Sequence, residues 1–154
     1  MVMPFFRTAA FRTATLIALS LCAASQAASA QNISVNADNA NIRTGPGTNY
    51  QIAMELFKGY PLQITATQGD WSKVVDFEND TGWIHNSLVG EGNTVIVNGT
   101  QSVNMRAEAS TDSAIVANVD RGVVLTIMET NGNWLKLQHS TGVVGWIYKP
   151  LLWP

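Results

Sequence analysis

The chain has 154 residues, 46% apolar and 13% charged, a composition that buries a core and excludes a disordered chain. Its formal charge is −2 with no basic block, so an electrostatic grip on nucleic acid or on an anionic membrane surface has little to work with. The lone cysteine, Cys22, excludes an intrachain disulfide, a cysteine zinc site and a CxxC redox pair.

The chain opens with Arg7 and Arg12 as its only N-terminal charges, followed by the uncharged, mostly apolar run Ala14–Ala24 and an A-x-A site at Ala28-Ser29-Ala30. This pattern reads as a secretory signal peptide over residues 1–30, cleaved before Gln31. An 11-residue run would cross only about half of a ~30 Å hydrocarbon core, which argues against a membrane anchor. Leu19-Ser20-Leu21-Cys22 carries the bulky Leu21 where a lipobox has a small residue, so lipidation is not expected. Cleavage leaves 124 residues, no cysteine and a charge of −4, held by a hydrophobic core alone.

Beyond Ala30 the sequence is one unit written twice. Asn41–Val89 overlies Asn104–Leu152 at a constant offset of 63 without a gap, and 15 of the 49 positions are identical, against roughly three by chance. The identities include Asn41/Asn104, Arg43/Arg106, Thr48/Thr111, Gly69/Gly132, Trp71/Trp134, Gly82/Gly145, Trp83/Trp146 and Leu88/Leu151. A period this long predicts two small domains, 31–91 and 92–154, joined near Gly90-Glu91-Gly92-Asn93. In the first unit Leu62, Ile64 and Ala66 alternate with Gln63, Thr65 and Thr67; in the second Val123, Leu125 and Ile127 alternate with Val124, Thr126 and Met128. That period of two predicts strands with one face buried, and no stretch sustains a helical stripe. Turns are expected at Gly45-Pro46-Gly47, Lys58-Gly59, Gln68-Gly69-Asp70 and Thr81-Gly82, and again at Arg121-Gly122, Asn131-Gly132 and Thr141-Gly142. The predicted class is all-β, with about five short strands in each unit closing into a small barrel that removes most exposed edges. Units this small are marginal alone, so the two are expected to pack together.

Asn41-Ile42-Arg43-Thr44-Gly45-Pro46-Gly47-Thr48-Asn49-Tyr50, then Gly69-Asp70-Trp71, then Gly82-Trp83-Ile84, resembles a bacterial SH3 domain (SH3b), in order and over nearly all of 33–152 once both copies are included. The second copy keeps Asn104-Met105-Arg106 and Gly145-Trp146-Ile147 but has Glu108, Ala109 and Ser113 for Gly45, Pro46 and Tyr50. The resemblance implies two tandem SH3-like barrels, with 41–50 in the long loop over a groove. It also implies an exported protein, periplasmic or extracellular, whose partner is cell-wall peptidoglycan or an envelope protein. The proline and second tyrosine that complete a polyproline groove in eukaryotic SH3 domains are replaced by His85 or Tyr148 and by Leu88 or Leu151, so P-x-x-P ligands are not expected.

Groove candidates are Tyr50, Trp71, His85, Trp134 and Tyr148. Trp71 and Trp134 read either as flat stacking platforms or as partly buried barrel tryptophans, and Tyr50 either as a ligand contact or as packing on its own loop. Trp83 and Trp146, mid-strand, read as core or inter-domain residues. His85 and His139 are not repeat equivalents and neither has a second histidine near it, so no metal is expected. Asp76, Glu78 and Asp80 read as a solvated turn. Residues 31–92 carry −4 and 93–154 carry none, which together with the intact loop and Tyr50 predicts that the first copy does most of the binding, toward a cationic partner. No nucleophile sits in a recognisable catalytic context, so no enzyme activity and no cofactor are expected.

Overall fold

Short runs rich in Val, Ile, Leu and Trp, punctuated by turn residues, become strands throughout. The computed structural model describes residues 30–154, so the expected signal peptide lies outside the described residues except for Ala30. The first unit holds β1 (Gln31–Val35), β2 (Ala40–Arg43), β3 (Ile52–Leu56), β4 (Pro61–Gln68), β5 (Trp71–Val75), β6 (Thr81–His85) and β7 (Val89–Glu91). The second holds β8 (Thr94–Val97), β9 (Val103–Arg106), β10 (Ile115–Val119), β11 (Val124–Asn131), β12 (Trp134–Gln138), β13 (Val144–Tyr148) and β14 (Leu152–Trp153). Short 3-10 turns at Asn86–Leu88 and Lys149–Leu151 precede β7 and β14.

The strands form two seven-stranded antiparallel sheets, ordered β3-β2-β6-β5-β4-β1-β7 and β10-β9-β13-β12-β11-β8-β14. Ile33, Ile42, Leu62, Val74 and Ile84, from five strands, meet in one buried cluster. A single sheet brings residues so far apart in strand order together only by wrapping around them. Val95, Met105, Leu125, Leu137 and Ile147 do the same in the second unit. The architecture is therefore all-β, with two tandem SH3-like barrels.

Two details depart from the expected pattern. Alternation in β4 fails beyond Ile64, because the pairing slips between Ile64 and Ala66 and leaves Ala66 exposed. The same slip occurs between Ile127 and Glu129, although Met128 there is 53% exposed, as its place in the alternation predicts. A bulge of this kind bends the strand, so the distal half of each hairpin leaves the core. The second hairpin also turns later than expected: β11 runs through Asn131, which pairs with Trp134, and Gly132-Asn133 make the turn. Gly132 (φ +55°) and Gly69 (φ +56°) each stand first in a two-residue loop, a position whose left-handed backbone favours glycine.

The barrels share a seam. Ile33 pairs with Leu62, whereas Val95 pairs with Leu125, so β8 answers β1 at an offset of 62 rather than 63. The cause is the connection after β8, residues 98–102, which is one residue longer than 36–39 after β1. The shift places Ile96 where the first unit has Ser34. Ile96 is 1% exposed and joins the core cluster of the first barrel, against which Val124 and Trp153 also pack. Beside it runs a chain of hydrogen bonds: Asn93 N–H donates to Ser34 Oγ (3.3 Å), Ser34 to Thr94 Oγ1 (2.6 Å), and Thr94 to the Gly59 carbonyl (2.6 Å). Thr94 must be the donor to the carbonyl, which leaves Ser34 as the donor between the two hydroxyls. Arg121 reaches across to Glu78 (2.9 Å) and lies 4.7 Å from the centroid of the Phe77 ring.

Candidate groove beside the paired aromatic strand ends

Each central tryptophan is the first residue after a tight hairpin turn, and its cross-strand partner is the last residue of the next strand. Trp71 pairs with His85, ring centroids 5.3 Å apart and nearly perpendicular. Trp134 pairs with Tyr148 at 5.5 Å. Edge-on and tilted contacts of this kind are favourable for aromatic rings and hold each tryptophan face in one orientation. Trp71, Trp134 and His85 are half-buried, and Tyr148 is 40% exposed. The structure thus joins four of the five candidate residues into two pairs at repeat-equivalent positions.

His85 is also a cap. Its Nδ1 accepts the Ser87 N–H (3.3 Å) and lies 2.8 Å from the Ser87 hydroxyl, closing the 3-10 turn. With Nδ1 accepting, the neutral ring carries its proton on Nε2.

A long loop follows β2 and β9, held in each case by the arginine that ends the strand. Arg43 donates from Nη1 to the carbonyls of Thr48 (3.1 Å) and Tyr50 (2.8 Å). Arg106 donates to the Ser113 carbonyl at 2.8 Å. Tyr50, the fifth candidate, packs within its own loop: its ring lies against Gly45 and Gly47, and a Cβ on Gly45 would collide with it. In the second copy the equivalent Ser113 instead accepts the Glu108 N–H on its hydroxyl (2.9 Å).

In the second barrel this arrangement opens into a groove of about 510 Å³, lined by Trp134, Tyr148, Asn104, Arg106, Ser110, Thr111 and Leu151. The sequence predicts most binding in the first copy and marks only the aromatic residues of this lining as groove candidates. The rest of the lining is nevertheless marked in the sequence, since Asn104, Arg106, Thr111 and Leu151 are all identical between the copies. A flat indole, a phenol and a guanidinium around an open groove suit a ligand with an apolar face and hydrogen-bonding groups at its edge, such as a sugar ring or a peptide.

The remaining tryptophans lie away from this groove. Trp146 is 9% exposed, opposite Lys136 in the sheet with the ammonium 6.0 Å from its ring, and Trp83 is half-buried opposite Lys73. Asp76 corrects an expectation: it is 5% exposed rather than solvated. Its Oδ1 accepts the N–H groups of Glu78 and Asp80 (2.9 Å each) and its Oδ2 accepts the Tyr60 hydroxyl (3.3 Å). Burial, and then the adjacent Asp76 carboxylate, push the Tyr60 phenol well above its ordinary value of 10.0.

These barrels are bacterial SH3 domains: the chain belongs to that family, whose model matches residues 36–91 and 99–154. Among individual proteins, the chain is 28% identical over 123 residues to the "Putative N-acetylmuramoyl-L-alanine amidase YrvJ" of Bacillus subtilis (strain 168), a match spanning 69% of this chain and 23% of that protein. Solved structures with a likeness to it include NlpC2 from Trichomonas vaginalis, 17% identical with a TM-score of 0.35 over 82% of this chain and 48% of that one. Another is an NlpC/P60 family protein from Bacillus cereus ATCC 10987, 12% identical with a TM-score of 0.38 over 79% and 55%. Among the described residues no helix is long and apolar enough to cross a membrane.

Proposed function

We propose that the chain is an exported, non-catalytic binding module of the cell envelope, periplasmic or extracellular, that holds peptidoglycan or its peptide stems non-covalently. In this reading residues 1–30 are the cleaved leader, and 31–91 and 92–154 are the two binding domains. The observation that carries it is the repeated aromatic pair, Trp71–His85 and Trp134–Tyr148, the second of which shares a groove with its arginine-held loop. Family membership supports it, as does the name of the Bacillus subtilis relative, which is that of an amidase for an N-acetylmuramoyl-L-alanine link. The indole faces stack on the ligand, while Arg106 and Asn104, which line the same groove, supply donors.

Co-sedimentation with purified insoluble peptidoglycan tests this reading. The intact two-barrel chain is expected to sediment, and Trp134→Ala and Tyr148→Ala are each expected to weaken binding by about 1–3 kcal/mol as stacking hot spots. Trp71→Ala in the same assay measures the share of the first barrel. If the unaltered chain stays in the supernatant, peptidoglycan binding is wrong and a second reading takes over, an adaptor for a protein of the envelope. That reading rests on the exposed Ile52 (54%), Ile115 (52%) and Val116 (46%) on β3 and β10, each an end strand of its sheet, where a partner strand could add.

A further inference from the structure

The seam between the barrels is unequal on its two sides, although the residues that build it are repeat equivalents. Lys58 and Arg121 occupy the same position in the two copies, on the turn before β4 and before β11. On one side Arg121 of the second barrel meets the β5–β6 connection of the first, where Glu78 takes its charge at 2.9 Å and the Phe77 ring lies 4.7 Å away. On the other side Lys58 of the first barrel stands beside the β12–β13 connection of the second. There the equivalents of Phe77 and Glu78 are Ser140 and Thr141, so the apolar ring and the carboxylate are both missing. Lys58 has no ion-pair partner among the described residues.

In place of those side chains lies a cleft of about 610 Å³, bounded by Phe57, Lys58, Val124, Gln138 and His139 among others. Its volume falls within the range of about 300–1,000 Å³ usual for small-ligand sites, which favour domain junctions of this kind. No carboxylate lines it. Phe57 is 53% exposed at its edge, and Lys58 contributes a full positive charge. His139 accepts the Thr141 N–H on Nδ1 (3.2 Å), so its neutral ring keeps the proton on Nε2 as a further donor. The cleft therefore offers donors and apolar surface to a ligand and no carboxylate in its own lining; Glu91 lines the adjoining pocket that shares Lys58, without an ion pair to it.

We propose that this inter-barrel cleft is a second binding site, separate from the groove at Trp134 and Tyr148, for a carboxylate joined to an apolar group. The ligand supplies in trans what Glu78 and Phe77 supply in cis to Arg121: its carboxylate meets the Lys58 ammonium and its apolar part rests against Phe57. Charge-assisted hydrogen bonding to the carboxylate sets the preference for an acid over its amide.

A titration of the intact two-barrel chain followed by ¹H–¹⁵N NMR tests the site. The probes are N-acetyl-alanyl-phenylalanine and N-acetylmuramic acid, which offer the carboxylate on a peptide and on a sugar, each compared with its own amide. With at least one acid, the amides of Phe57–Gly59 and His139–Gly142 are expected to shift saturably, with affinity at least about tenfold above that of the amide. The acid that binds identifies the source. Lys58→Arg should retain the effect and Lys58→Gln should lose it. Ser140→Phe combined with Thr141→Glu should fill the cleft from within and abolish it. The proposal is overturned if acid and amide bind alike, if shifts saturate only around Arg106 and Trp134, or if neither acid saturates by about 10 mM. Because the unaltered chain alone gives the acid-to-amide ratio and the location of the shifts, a variant that fails to fold does not blunt the test. Loss of peptidoglycan sedimentation would leave it standing.

Discussion

At Asp76 two backbone amides and a phenol converge on one buried carboxylate, so the geometry of the whole β5–β6 connection depends on a single side chain. Asp76→Ala strands the N–H groups of Glu78 and Asp80 and the Tyr60 hydroxyl, and should cost about 1–3 kcal/mol of stability in chemical denaturation. The loss should exceed that of Glu78→Ala, whose pair with Arg121 is 40–54% exposed and worth at most about 1 kcal/mol. Tyr60 adds a pH dependence of definite sign. Its phenol is raised above 10.0 in the fold, so between that value and the raised one the native state binds more protons than the unfolded chain. Its contribution is complete below pH 10 and falls away as pH rises beyond it. Denaturation midpoints compared at about pH 8 and about pH 11 should therefore fall less in Tyr60→Phe than in the unaltered chain. An equal fall in both would show that Tyr60 is not the group responsible.

Gly82 and Gly145, the first halves of the Gly-Trp pairs, show why an element needs its smallest residue at a fixed place. A Cβ on Gly82 would strike the Ile42 side chain, and one on Gly145 would sit 2.5 Å from Met105 Cγ and 2.8 Å from the Arg106 carbonyl. β6 and β13 cross so near β2 and β9 that each barrel closes only over bare backbone. Gly145→Ala should lower stability by about 1–3 kcal/mol, read by thermal denaturation, as overpacked cores do. A change within about 0.5 kcal/mol, the usual range for a surface site, would refute the close crossing. That glycine was legible as a motif, and so were the strand class, the repeat and the paired aromatic strand ends, because each is written in local spacing. What local spacing does not carry is pairing register. The bulges after Ile64 and Ile127, the displaced turn at Gly132-Asn133 and the extra residue between β8 and β9 depend on which residues face each other across strands. Asp76 was misread for the same reason: its partner Tyr60 is 16 residues away, and sequence proximity to Glu78 and Asp80 suggested only an acidic turn. The polar lining of the groove is visible as repeat identities but not as a site, since Asn104 and Trp134 come to one groove only through the pairing of β9 with β13 and of β13 with β12.

The molecule as a whole is less divisible than its repeat. Ile96 belongs to the second barrel by chain and sheet and to the first barrel by packing. Ile96→Ala should cost about 2–5 kcal/mol. The loss should appear in one cooperative transition, with circular dichroism and tryptophan fluorescence coinciding, because the core of the first barrel is completed by residues of the second. Two resolved transitions would show instead that the seam is incidental. Trp153, at the far end of the second sheet, pairs with Ile96 and packs on that same first core. A chain that emerges N-terminus first, from a ribosome or through a translocation channel, therefore cannot finish its first barrel when the residues of that barrel arrive. Strands β1–β7 have to wait, with part of their apolar surface uncovered, until residue 153 is through. The interval is a window for aggregation or for a chaperone, and its length is set by the time taken to deliver the second barrel.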